Sequence, residues 1–201
     1  MVAISKHFYR KPESSKWIYD RRNNQKYDID DIDTKIMIYE DMVKTWFLDV
    51  AKYLTIRNKV NLPYNEDFDT NEAGFVILQI AISYIEGNQQ YREGMSSKSN
   101  SKFCFNAGLR RIFSLKEKDK KTLDTFYSQV RSGLFHDGMT RKLVMIDGRY
   151  NEPIELSAKS IKINPYKFLR CIEIDFEKYI HDLKRDIKLK KDFLKFWNER
   201  Q

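Results

Sequence analysis

Residues 164–197, NPYKFLRCIEIDFEKYIHDLKRDIKLKKDFLKFW, decide how the chain is read. Asn164 is a helix cap, because its side-chain oxygen can accept from the backbone N–H groups that a first turn leaves unpaired. Pro165 follows at the helical position where a missing N–H does least harm. Phe168, Leu169, Ile172, Phe176, Tyr179, Ile180, Leu183, Ile187, Leu194 and Trp197 then recur at the period of one helical face. The run predicts a long last helix that keeps its period to the end. Lys178, Lys184, Arg185, Lys188, Lys190, Lys191 and Lys195 alternate with Glu177, Asp182, Asp186 and Asp192, which predicts a solvated outer face.

Further toward the N-terminus the same reading gives three more helices. The first starts near Asp33 or Thr34 and carries Ile36, Tyr39, Val43, Trp46, Phe47, Val50 and Leu54 on one face. Arg57 and Lys59 follow its end, and Asn61-Leu62-Pro63 breaks it. The second opens on Asp69-Thr70-Asn71-Glu72, which reads as a capping box. It buries Ala73, Val76, Ile77, Ile80, Ala81, Tyr84 and Ile85 and ends between Gly87 and Gly94. A Ser-rich loop (Ser96 to Ser101) leads to an apolar segment, Phe103 to Phe113, read as a helical turn or two. The third helix runs from about Asp119 to Phe135, with Leu123, Phe126, Val130 and Leu134 inward and Gly138 as a left-handed cap. Leu143 to Ile146 and Ile154 to Ile163 are extended runs separated by Asp147-Gly148 and Pro153, which reads as a small hairpin. The expected fold is therefore all-α: an antiparallel four-helix bundle over residues 31–201 with a β-hairpin inserted between helices 3 and 4. Residues 1–30 form a basic N-terminal arm whose aromatics (Phe8, Tyr9, Trp17, Tyr19) read as docking points on the domain or as contacts to RNA.

Composition narrows the function. The chain has 201 residues, 41% of them hydrophobic, enough for a core without disulfides or a metal. Lys and Arg exceed Asp and Glu by 37 to 29, and the net charge of +8 points to an anionic partner, nucleic acid before membrane surface. Cys104 and Cys171 are far apart, and His7, His136 and His181 do not cluster, so neither a disulfide framework nor a zinc site is expected. No Gly-rich nucleotide motif occurs, and no cofactor is expected. Tyr27 to Asp33 is acidic but lacks the central Gly and final Glu of a calcium loop. The start lacks the apolar core of a signal peptide, and the longest apolar stretch, Ala73 to Ile85, is too short to span a bilayer. A cytoplasmic protein with no membrane partner is expected.

Chemistry concentrates in Tyr127 to Gly138, YSQVRSGLFHDG. Arg131 and His136 lie five apart at the end of the third helix. Five residues of α-helix give about 7.5 Å of rise and roughly 140° of rotation, so in an ideal helix the two would not share a face. They converge if Gly133 or the fraying end loosens the last turn, or if a second molecule shares the groove. Histidine can take and give protons near neutrality, and a fixed guanidinium can meet charge growing on a phosphoryl group. On the plainer reading His136 caps the helix and Arg131 pairs at the surface with Asp124 or Asp137. Glu86, beside an apolar face, reads as a plain surface acid or as one that reaches the Arg131 region and orients it.

Arg-x4-His at the end of the third of four helices resembles the HEPN superfamily, over roughly Asp33 to Trp197. The departure is Ser132, where that family more usually has Asn, Asp or His. The resemblance implies a metal-independent endoribonuclease, with two motifs at one composite homodimer cleft and attack by the ribose 2′-hydroxyl. It assigns His136 to proton transfer and Arg131 to the phosphate, with Ser132, Tyr127 and Glu86 in support. It also implies RNA and an inhibitory protein as partners, in defence or toxin–antitoxin biology. The alternatives are a non-catalytic HEPN-like module for dimerisation and RNA, nucleotide or protein binding, and an unrelated helical interaction protein.

Overall fold

The computed structural model describes residues 2–60, 73–115, 120–157 and 159–200. It corrects the all-α expectation: the fold is mixed, a helical body with two sheets. The capping box at Asp69 to Glu72, the breaker at Asn61 to Pro63 and the expected start at Asp119 lie outside the described residues.

The basic N-terminal segment is the first sheet. Strands β1 (Val2–Ala3), β2 (Phe8–Arg10), β3 (Trp17–Asp20) and β4 (Lys26–Asp28) form an antiparallel meander. Strand alternation explains β3, where Ile18 is 0% exposed and Trp17 and Tyr19 are half-buried; in β2 Phe8 points inward at 1% and Tyr9 is buried beside Tyr19. Phe8 and Ile18 pack on Ile38 of helix α1 (Ile32–Val43). A polar clasp reinforces this. The Ser5 hydroxyl and the His7 backbone N–H (3.0 Å) donate to Asp41, and the His7 ring lies 2.6 Å from it.

Asp31 caps α1, accepting from the Thr34 N–H at 2.9 Å. α1 continues through a π-helical segment, Lys44–Leu48, into α2 (Asp49–Val60). The wider turn shifts the helix face. Leu48 and Ala51 point inward, and Trp46, Phe47 and Val50, expected on the face of Ile36 and Tyr39, are each more than 40% exposed.

Helix α3 (Gly74–Glu93) is the central element and packs against α4 (Ser101–Ile112), α6 (Pro165–Leu183) and α7 (Ile187–Glu199). It runs past Gly87 to a left-handed cap at Gly94. α4 is a full twelve-residue helix rather than a turn or two. α5 (Lys120–Phe126) leads into the motif segment. The expected hairpin is instead a three-stranded mixed sheet: β5 (Val144–Ile146) runs parallel to β7 (Ile161–Ile163), and β6 (Ile154–Leu156) pairs antiparallel on the other side of β7. Asn164 joins this sheet to α6. Its amide donates to the carbonyls of Gly148 and Tyr150, both at 2.8 Å, and accepts from the N–H groups of Tyr166 and Lys167. The single long last helix is in fact two. Asp186, read as a solvated acid, caps α7 through the N–H groups of Lys188 and Leu189.

Candidate functional site

The motif lies on backbone that is not α-helical. After α5 the chain winds as two π-helical turns, Tyr127–Arg131 and Gly133–Asp137, and the Ser132 N–H donates to the Tyr127 carbonyl five residues back. A turn closed by bonds five residues apart brings residues i and i+5 nearer in direction than an α-helix, which sets them roughly 140° apart. Arg131 and His136 stand at that spacing. The inward side chains keep their places: Val130 is fully buried and Leu134 is 3% exposed.

Gly133 and Gly138 make this winding possible. A Cβ on Gly133 would sit 2.6 Å from the Met139 carbonyl oxygen, because residues 139–141 fold back over it. The Arg141 N–H donates to the Gln129 carbonyl at 2.9 Å and holds that return. Gly138, at φ 71°, supplies the left-handed residue that reverses the chain.

Arg131 meets Glu86 of α3. Its Nε and Nη2 donate to one oxygen of Glu86 at 3.1 and 3.0 Å, and both side chains are mostly buried. The guanidinium carbon lies 4.7 Å from the Phe135 ring centroid and 5.4 Å from that of Tyr127, so two rings flank the group. Its Nη1 has no hydrogen-bond partner among the described residues. Tyr127 shares a hydrogen bond with the Ser101 hydroxyl at 3.0 Å. His136 is exposed, and among the described residues nothing bonds its ring. Ser132 is half-buried and its hydroxyl joins none of these groups. The surface partners on the plainer reading are engaged elsewhere: Asp124 with Lys102 and Asn106, and Asp137 with Arg141. The fold thus joins Arg131, Glu86 and Tyr127, sets His136 one wide turn beyond, and leaves Ser132 aside.

A second charged cluster escaped the sequence reading. Asp175 of α6 accepts from Arg111 of α4, from Arg92 of α3 at 3.4 Å and from the Tyr84 hydroxyl at 2.8 Å. Gln89 and Asn88 bind the same guanidiniums, and Arg92 lies 4.2 Å from the Tyr179 ring centroid. Burial pulls the Arg111 guanidinium below its ordinary value. Burial and then the Asp175 charge push the Tyr84 hydroxyl well up. A cleft of about 290 Å³ opens beside it, lined in part by Lys178 and Cys171. The usable signal is the polar spacing Tyr84, Asn88, Arg92, one stripe of a helix that continues to Gly94.

Cys104 and Cys171 are free thiols, both pushed up by burial. Among the described residues, no group of three His, Cys, Asp or Glu is placed to hold a metal ion, and no helix is long and apolar enough to cross a membrane. Neither a family model, nor a curated protein, nor a solved structure matches the chain.

Proposed function

We propose that the chain is a metal-independent endoribonuclease of the HEPN type. The observation that carries this reading is Arg131, fixed by Glu86 and two rings with its Nη1 edge unpaired, and an exposed His136 one wide turn further on.

In this reading Arg131 holds a non-bridging oxygen of the scissile phosphate. Charge grows there in the transition state, and a guanidinium already held in place meets it without reorganising. His136 serves the proton transfers. One proton leaves the ribose 2′-hydroxyl as its oxygen bonds to phosphorus, and one reaches the 5′-oxygen as the P–O5′ bond breaks. The products are a 2′,3′-cyclic phosphate and a free 5′-hydroxyl. A lone histidine cannot stand on both sides of the phosphate at once, so the reading calls for a second copy of the chain across the cleft. RNA, that second copy and an inhibitory protein are the partners, in the cytoplasm.

A non-catalytic module is the second reading. What favours it is the same ion pair, because the Glu86 carboxylate neutralises the charge that a phosphate would seek. Incubation with mixed RNA in EDTA separates the two. The expected result is cyclic-phosphate ends from wild type and at least about a hundredfold slower cleavage by His136→Ala. Cleavage by His136→Ala at the wild-type rate would end the catalytic reading.

A further inference from the structure

We propose that the outer face of the N-terminal sheet is a binding surface for single-stranded RNA. It lies apart from the motif, and it rests on the ribonuclease reading only for the choice of RNA over single-stranded DNA.

The register builds the surface. In β3, Ile18 and Asp20 point inward at 0% and 2% exposure, so Trp17 and Tyr19 point outward. Tyr9 of β2 pairs with Tyr19, and the two rings stack at 5.5 Å with 24° between their planes. Lys26 of β4 pairs with Tyr19 from the other side. Trp17 and Tyr19 thus occupy outer positions and are half-buried, while Tyr9 backs the Tyr19 ring and is itself 8% exposed.

Each of these rings has a cation over it. Lys11 Nζ lies 4.5 Å from the Tyr19 centroid, Lys16 and Lys26 lie 5.2 and 4.8 Å from that of Trp17, and the Arg21 guanidinium lies 5.2 Å from that of Tyr9. Residues 2–28 hold seven Lys and Arg against three acids, which is half of the formal excess of +8. Two of those acids are already paired, Asp20 with Arg22 and Asp28 with Lys16.

This combination suits one kind of partner. Unpaired bases stack on aromatic faces whatever their sequence, while neighbouring lysines take the phosphates. A duplex hides its base faces and could use only the charge. A membrane surface would call for outward aliphatic side chains, and the outer positions beside these rings hold Ala3, Lys26 and Asp28 instead. The sheet's anchoring is on the opposite face, through Phe8, Ile18 and the Asp41 clasp, so the Trp17 and Tyr19 rings are spare to the core. Lysine–ring contacts at an exposed surface are weak and exchange readily for a stacked base.

The test reads binding alone. The probe is a fluorescein-labelled 2′-O-methyl oligouridylate of about twelve nucleotides, which has no 2′-hydroxyl to attack, and fluorescence anisotropy follows it on the full chain. Wild type should prefer it to the same strand in a duplex. Trp17→Ala/Tyr19→Ala should bind at least about tenfold more weakly, and Trp17→Phe/Tyr19→Phe should bind as wild type. Lys11→Glu/Lys16→Glu/Lys26→Glu should lower the slope of log affinity against log salt by about two. Wild-type affinity in the alanine pair overturns the proposal, even if the lysine variant weakens, and so does a preference for duplex. A chain that cleaves no RNA but passes these tests would lose the ribonuclease reading and keep this one.

Discussion

Two arginine–carboxylate pairs bracket α3, and their differences separate structure from site. Arg111 spends all three of its nitrogens, on Gln89, Asp175 and Asn88. Asp175 in turn serves two guanidiniums and a tyrosine hydroxyl. Arg111 is therefore closed, its charge spent on fixed partners, and in that network only Arg92 Nη1 lacks a partner among the described residues. Arg131 spends two nitrogens on one carboxylate oxygen and lies over the rings of Tyr127 and Phe135. That pair is open, because one edge of the fork is unspent. A partly buried guanidinium with an unspent edge is the arrangement that an incoming phosphate can complete.

If the contrast holds, the same kind of substitution has unequal effects on the two pairs. Asp175→Asn removes the one anion between two largely desolvated guanidiniums, and the loss should approach that of breaking a buried ion pair, about 3 kcal/mol. Urea unfolding read by circular dichroism measures it. A loss below about 1 kcal/mol would mean that Arg92 and Arg111 are well enough hydrated to stand without their partner.

Asp41 falls between the two. Burial alone would raise its carboxyl, but the donors from Ser5 and His7 outweigh burial and hold it below the ordinary aspartate value. A carboxyl lowered in the folded state adds stability that is complete above its unfolded value, roughly 3.9, and is lost as the pH falls through the folded one. Asp41→Asn should therefore cost about 2 kcal/mol at neutral pH, and its deficit against wild type should shrink in acid. The clasp ties the first sheet to α1, so the variant should also speed amide exchange in β2 and β3. A deficit that persists unchanged to pH 2 would show that hydrogen-bond geometry, and not ionisation, carries the contribution.

What the sequence made legible was local. The start of α6 could be read because a capping Asn and a proline act within one turn. The left-handed glycine at 138 and the inward stripe Leu123, Phe126, Val130, Leu134 were legible for the same reason, and Gly94 only as a possible end of the helix. Elements set by distant partners were not. β5 pairs with a strand that begins fifteen residues after it ends, and nothing in Val144 to Ile146 names that partner. The first sheet has strands of two to four residues, so although Phe8 was readable as a docking aromatic, the strand pairing and the inward Ile18 were lost among the lysines. The π turn at Lys44 slips the face by a fraction of a turn, which a fixed helical period cannot represent. At the candidate site, the spacing of Arg131 and His136 and the reach of Glu86 could be read. The wide winding between them could not, because it depends on residues 139–141 folding onto Gly133.

The smallest effect on stability is the most informative about function. Glu86→Gln keeps an oxygen to accept from Arg131, and the two rings continue to hold the guanidinium, so the fold should lose no more than about 1 kcal/mol. What changes is charge. With Glu86 neutral, the Arg131 field is no longer cancelled. RNA should bind more tightly, with a salt slope steeper by about 0.7, the contribution of one more phosphate contact to a single strand. If Glu86 also sets the angle at which Arg131 meets the transition state, kcat should fall while KM falls or holds, which a purely structural pair would not produce. A stability loss as large as that of Asp175→Asn, with RNA affinity unmoved, would make the second pair as closed as the first, and the motif would be left with an exposed histidine and no phosphate clamp.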